Sequence, residues 1–264
     1  MMPMLDARHR VRVPGRWLVL LWLVCAAWPA GAGPAAQLLE QLGLSELPGQ
    51  APRVLALARR AHFSPLAEGG DEQLWQEVEA AVLAAFRERE LSRRWRQALE
   101  ALPPPVLEEA LVRVQQPPVR RLAEAAEAPT DREQWRELER YQAGLRARPP
   151  RSDRAGLMER VVAAEGKAEL AALLQSCIEE LLMSELAHRG LKPVRPAASE
   201  WPSLLARRIA YQQQQQQLYS FYAYRFIDNA TLEGWLAAMA EGPVAEALAT
   251  VLEVSRQTLA PPLP

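Results

Sequence analysis

The sequence predicts an all-α fold, a multi-helix bundle over residues 33–264, and three observations predict it. Nearly every segment places its apolar residues at three- and four-residue spacing, the period of one helix face. No stretch alternates β-branched and polar residues between turn signals, as a half-buried strand would. Proline and glycine fall between the periodic segments, notably at Pro103-Pro104-Pro105 and at Gly190 with Pro193.

The first element lies outside that bundle. Arg8, Arg10, Arg12 and Arg16 precede an apolar run from Trp17 to Trp28, and Ala30-Gly31-Ala32 supplies the small residues a signal peptidase accepts. A bilayer core needs about 20 apolar residues, so the run is too short for an anchor. Residues 1–32 therefore read as a cleaved signal peptide, with the cut after Ala32 and a periplasmic or secreted mature chain that is not an integral membrane protein. Acylation at Cys25 is the rival reading, disfavoured because Val24 is not small and the apolar run continues to Trp28. Losing four arginines and one aspartate with the peptide moves the formal net charge from −1 to −4. No basic stripe accumulates, which argues against nucleic acid as a partner. The 29 arginines against Lys167 and Lys192 resemble the codon bias of a GC-rich bacterial genome. Cys177 alone remains after processing, so no intrachain disulfide can support the core.

Along the chain, Asp71 can cap a helix whose stripe is Leu74, Val78, Ala81, Val82, Ala85 and Phe86. Leu91, Trp95, Ala98, Leu99 and Leu102 resume at a shifted phase, which predicts a bend near Glu88 to Glu90, and the three prolines end the segment. Ser152 or Asp153 starts a long helix carrying the strongest apolar face, from Leu170 through Leu182. Gly166 is placed to split it, and Gly190 with Pro193 stops it. RPPRSD before this helix and KPVRPAASEWP after it are the clearest linkers.

A shift of 125 residues lays Val106–Arg121 on Thr231–Glu246. Leu107, Glu108, Leu111, Pro118 and Val119 then match Leu232, Glu233, Leu236, Pro243 and Val244. Each copy reads as a short helix, a corner, and a proline in the first turn of the next helix, where its missing N–H is no loss. The expected consequence is two related halves, 71–148 and 153–259, around the long helix.

The run of six glutamines from Gln212 to Gln217 reads as helix, since glutamine is a good helix former and periodic residues flank it on both sides. Leu204, Tyr211, Leu218 and Tyr222 are expected to face inward together, because seven residues return nearly to the same azimuth. The other glutamines would lie in water, and only Gln215 would interrupt the stripe. The segment FYAYRFIDNATLEGWL, with RAGLMERVVAAEGKAELAALL upstream and the proline–valine corner downstream, resembles an uncharacterised family of secreted bacterial helical proteins. The resemblance covers most of residues 70 to 255 and implies a helical periplasmic protein with Asp228 at a cap position. It implies no activity. Thr231 and Gly242 depart from that family's pattern.

Chemistry-bearing groups are sparse. His62 and His188 cannot form an HExxH or His-rich metal site, and GxSxG, SxxK and phosphate-loop motifs are missing, so no metal or cofactor is expected. Cys177 and His188 would sit about 16 Å apart on one helix, too far for a dyad. Cys177 is expected buried and inert. Glu179, Glu180 and Glu185 are read as a wet helix face before they are read as paired acids of an envelope hydrolase. Arg225 could stack on an aromatic ring, bond helix-end carbonyls or receive an anion. The leading expectation is a non-enzymatic scaffold, adaptor or chaperone-like protein whose partner is another envelope protein. The alternative is a carrier for an apolar or amphipathic ligand, with Tyr211, Tyr219, Tyr222 and Arg225 at the mouth of its groove.

Overall fold

The computed structural model of this chain describes residues 33–67, 72–126, 132–191 and 196–259. The predicted signal peptide with Cys25, the Asp71 cap, the His62 side chain and the linker residues 192–195 lie outside the described residues. Every regular element among the described residues is helical. In order these are α1 (Pro34–Gln41), α2 (Ala51–Ala67), α3 (Glu72–Phe86), α4 (Glu88–Glu100), α5 (Pro104–Val114) and α6 (Pro117–Ala125). They continue as α7 (Arg132–Ala147), α8 (Ser152–Glu165), α9 (Lys167–His188), α10 (Trp201–Ala223), α11 (Asn229–Met239) and α12 (Pro243–Leu259).

Helix α9 is the centre of the bundle and packs on α2, α3, α8, α10 and α12. Its apolar residues cover most of its circumference, with Leu170, Leu174, Ile178 and Leu182 each no more than 2 % exposed, as a helix surrounded by others requires. Gly166 splits α8 from α9 as expected, at φ +66°, a conformation open to glycine without a Cβ clash. The expected bend between α3 and α4 falls at Arg87, one residue before the predicted stretch, with φ +51°. Helix α4 then buries Leu91, Trp95 and Leu99. The Trp95 indole N–H donates to Ser255 Oγ of α12 at 2.8 Å, so the largest buried ring leaves no unpaired polar atom.

The corner units at 125-residue spacing are both present, α5–α6 and α11–α12. They pack reciprocally, α5 on α12 and α11 on α6. A Cβ on Gly234 would come within 3.2 Å of Pro118, which shows how closely α11 approaches α6. Correspondence reaches further upstream than the expected halves. Helices α1, α2 and the α3/α4 pair precede the first corner as α8, α9 and α10 precede the second. Gly43 and Gly166, 123 residues apart, both take φ +66° after the first helix of their half, and each opens a G-x-x-E-L segment. At that spacing Leu38, Leu39, Leu47 and Leu55 fall on Val161, Val162, Leu170 and Ile178, all buried. Helix α1 packs on α4 and α5 as α8 packs on α10 and α11, and α2 meets α9. Residues 34–126 and 157–251 are the spans related in this way, and α7 stands outside both.

No single helix among the described residues is long and apolar enough to cross a membrane; α11 and α12 together reach that length only across a 66° bend.

Candidate functional site

The break at Arg87 opens a cleft of about 490 Å³ between the α3–α4 corner, α9 and the end of α12. Phe86, Leu91, Leu181 and Leu259 make its apolar floor. Arg87, Glu90 and Arg94 stand on one side, Cys177 and Glu180 on the other. Glu90 Oε1 accepts from Arg94 Nη2 at 2.7 Å, and Arg87 and Arg93 approach the same carboxylate at 3.6 and 3.9 Å. The Arg94 hydrogen bond, reinforced by the surrounding positive charge, holds the Glu90 carboxyl below its ordinary range. Three guanidinium groups thus share the Glu90 carboxylate, while Glu180 supplies a second negative charge across the cleft. Arg87 is the sole non-glycine at positive φ among the described residues; the others are Gly43, Gly166, Gly190 and Gly242. A side chain in that conformation costs backbone energy, and such positions are enriched at functional sites.

Cys177 lines this cleft and is half-buried rather than fully enclosed. Burial, with some help from Glu180, pushes its thiol up to about 11, so it is protonated at neutral pH and a poor nucleophile. Helix α9 runs unbroken from Lys167 to His188, which keeps Cys177 and His188 apart as expected. No group of three or more His, Cys, Asp or Glu residues suited to a metal ion occurs among the described residues.

The four predicted mouth residues do not form one site. Tyr222 and Arg225 do meet: the guanidinium lies 4.0 Å over the Tyr222 ring and 4.7 Å over Phe226, and it donates to Tyr222 O at 2.7 Å and Glu137 Oε1 at 3.2 Å. Tyr222 donates to Glu137 Oε2 at 2.9 Å and meets Tyr141 of α7 edge-on. These contacts close the end of α10 against α7. Tyr219 points elsewhere, donating to Ala126 O at 3.1 Å. Tyr211 is 58 % exposed, contrary to its expected place on the inward stripe, and Leu218 is half-buried.

The inward azimuth of α10 is polar instead. Gln212 donates to Gln175 Oε1 at 3.1 Å, Gln175 to Glu179 Oε1 at 2.8 Å, and Arg208 to Ser176 Oγ at 2.7 Å and to Glu179 Oε2. Gln216 donates to Glu165 Oε2. Glu179 is therefore not on the wet face of α9 but 7 % exposed, the buried partner of Arg208. Apolar periodicity could not find this stripe, because its partners lie on α8 and α9, 29 to 51 residues away in sequence. Its helical spacing, Arg208, Gln212, Gln216 and Ser220 at every fourth position, was the available signal.

Asp228 caps α11 as expected. Its carboxylate accepts from Thr231 N at 2.7 Å and Thr231 Oγ1 at 3.0 Å, which lowers its pKa, the backbone N–H being the largest cause. Arg154, which drew no notice in the sequence, ties α8 to the turn after α10 by donating to Tyr224 O at 2.8 Å and Asn229 Oδ1 at 2.7 Å. With the fold and these contacts established, comparison with known proteins adds no relative: no family model, no curated protein and no solved structure matches this chain.

Proposed function

We propose that this chain is an exported, non-catalytic helical carrier that holds a small amphipathic anion in the cleft at the α3–α4 corner. The observation that carries this reading is Arg87, kept at positive φ on the rim where glycine would be easier. The cleft lies in the size range of small-ligand sites, about 300–1,000 Å³, and pairs an apolar floor with a few polar groups that would orient a head group. An anionic head group would meet Arg87 and Arg94, and its apolar body Leu91, Leu181 and Leu259. Export rests on the cationic and apolar segments of residues 8–32.

A second reading, docking on another envelope protein, is favoured by Phe226, 81 % exposed, on a surface that also carries Arg225. Native mass spectrometry of protein taken from its own cells separates the two: a bound small mass supports the carrier, a bound protein the adaptor. The cleft itself is tested with 8-anilinonaphthalene-1-sulfonate. Arg87→Gly relaxes the backbone and should leave stability equal or raised by up to about 1 kcal/mol, yet weaken the probe's affinity about fivefold or more. Bound probe should also slow alkylation of Cys177. Unchanged affinity in Arg87→Gly, or no protection of Cys177, would remove the cleft as the ligand site.

A further inference from the structure

The two related spans allow a position-by-position comparison that isolates one cluster. Leu42, Leu91 and Leu99 are 6, 2 and 0 % exposed in the first span. Leu42 lies 123 residues before Glu165, the spacing of Gly43 and Gly166, and Leu91 and Leu99 lie 125 residues before Gln216 and Tyr224, the spacing of the two corners. These three bond one another: Glu165 accepts from Tyr224 Oη at 3.1 Å on Oε1 and from Gln216 on Oε2. The architecture does not require polarity there, since the first span closes the same corner with leucines. A polar cluster with Tyr224 buried and Glu165 and Gln216 half-buried, where an apolar one suffices, is a cost to stability that invites a functional reading.

Glu165 is also poorly placed as a carboxylate. It is the last residue of α8, at the negative end of the helix dipole. Burial raises its pKa, outweighing Lys167 and the two donors. It lines a cavity of about 50 Å³ between the two spans, walled by Leu42, Leu122, Trp235 and Leu248. Gln41 of α1 lines the same cavity, and its Oε1 is buried without a hydrogen-bond partner. An orphaned acceptor and a carboxyl group thus line one small pocket. That space has room for a bridging water.

We propose that Glu165 and Gln41 form a proton-binding site across the seam of the two spans. With a proton bound, the Glu165 hydroxyl supplies the donor that Gln41 Oε1 lacks, directly or through one water, while its oxygens still accept from Tyr224 and Gln216. Without the proton, two acceptors share a cavity whose one charged donor among the lining residues is Lys167, and the contact of Gln41 with the second span loosens. The charged or titratable groups facing Glu165 are Lys167 at the start of α9 and Tyr224 after α10, the latter itself raised by burial and by Glu165. From α1 and α6 the cavity receives only uncharged side chains, Gln41, Val119, Leu122 and Ala123, joined by Ala126 just past α6. The proposal stands apart from the carrier reading, because it involves neither the cleft nor its ligand.

The test is carboxyl carbon NMR of the full chain across pH, with urea unfolding in parallel. Glu165 should titrate with a midpoint above the ordinary 4.5. Its contribution to stability should be present below that ordinary value and lost as pH rises through the observed midpoint, because the folded state binds the proton more tightly. Glu165→Gln, an always-neutral mimic, should remove this part of the pH dependence and match or exceed the parent at the alkaline end. Gln41→Leu should lower the Glu165 midpoint, since it removes the acceptor that favours the neutral form. A Glu165 midpoint at or below 4.5, a Glu165→Gln variant weakened equally at every pH, or a midpoint unmoved by Gln41→Leu would each overturn the proposal.

Discussion

Replacing Arg208 by leucine would take a charged partner from the Glu179 carboxylate in the α9–α10 interface, where the residue is 7 % exposed. Gln175 still donates to Oε1, yet a neutral hydrogen bond is weaker than the charge-assisted one that is lost. Breaking a buried pair from one side costs about 3–5 kcal/mol. The Arg208 side chain keeps 15 % of its surface and the interface is open at the Trp201 end, so the lower part of that range, about 3 kcal/mol, is expected. The double variant Arg208→Leu with Glu179→Leu removes both charges and fills the same seam with apolar volume. It should lie within about 1 kcal/mol of the parent or above it, because pairs replaced together lose no uncompensated group. Urea unfolding of parent, both single variants and the double variant closes the cycle, and an unchanged m-value confirms that the same two-state transition is compared. If Arg208→Leu alone cost less than about 1 kcal/mol, or the double variant cost as much as the singles combined, the seam would not be the buried ion pair argued from its geometry.

The remaining expectations concern α10 and the α11 cap. Tyr222→Ala, which removes a ring 8 % exposed and packed on Tyr141, should lose about 3–5 kcal/mol, whereas Tyr211→Ala, at 58 % exposure, should stay within about 0.5 kcal/mol; equal losses from the two would refute the helical phase. Alanine at Gln213 and Gln214, both exposed, should change stability by a few tenths of a kcal/mol at most. Asp228→Ala should lower stability measurably at neutral pH by removing the cap of α11. Because the Asp228 carboxyl is lowered in the folded state, that cost should be full above the ordinary aspartate value and vanish as pH falls through the folded one; a cost independent of pH would mean the side chain caps nothing.

Local chemistry made much of the fold legible. The phase shift after Phe86 marked the α3–α4 break, because changing the azimuth of a buried stripe requires the helix to turn or stop. Gly166 marked the α8–α9 boundary and Asp228 the start of α11, since each does something to its own backbone that few other residues do. The prolines of both corners carried the recurrence at 125 residues, although the sequence comparison began at Val106 and missed the upstream half, where Gly43 and Gly166 are 123 apart. The left-handed conformation at Arg87 left no trace in residue type, and so neither did the cleft it opens.

What the sequence by itself determined, then, was where helices begin, end and turn, and that apolar stripes would be buried, because those depend on neighbours within a turn or two. Only the tertiary structure decided which polar faces point inward. Gln212 and Gln216 turn toward the core while Tyr211 faces water, Glu179 leaves the solvent and Glu165 is half-buried, because α8 and α9 present matching donors and acceptors to α10 across a gap of tens of residues. Apolar burial is a property of one residue and can be read from a period; polar burial is a property of a pair, and the second member is supplied by the fold.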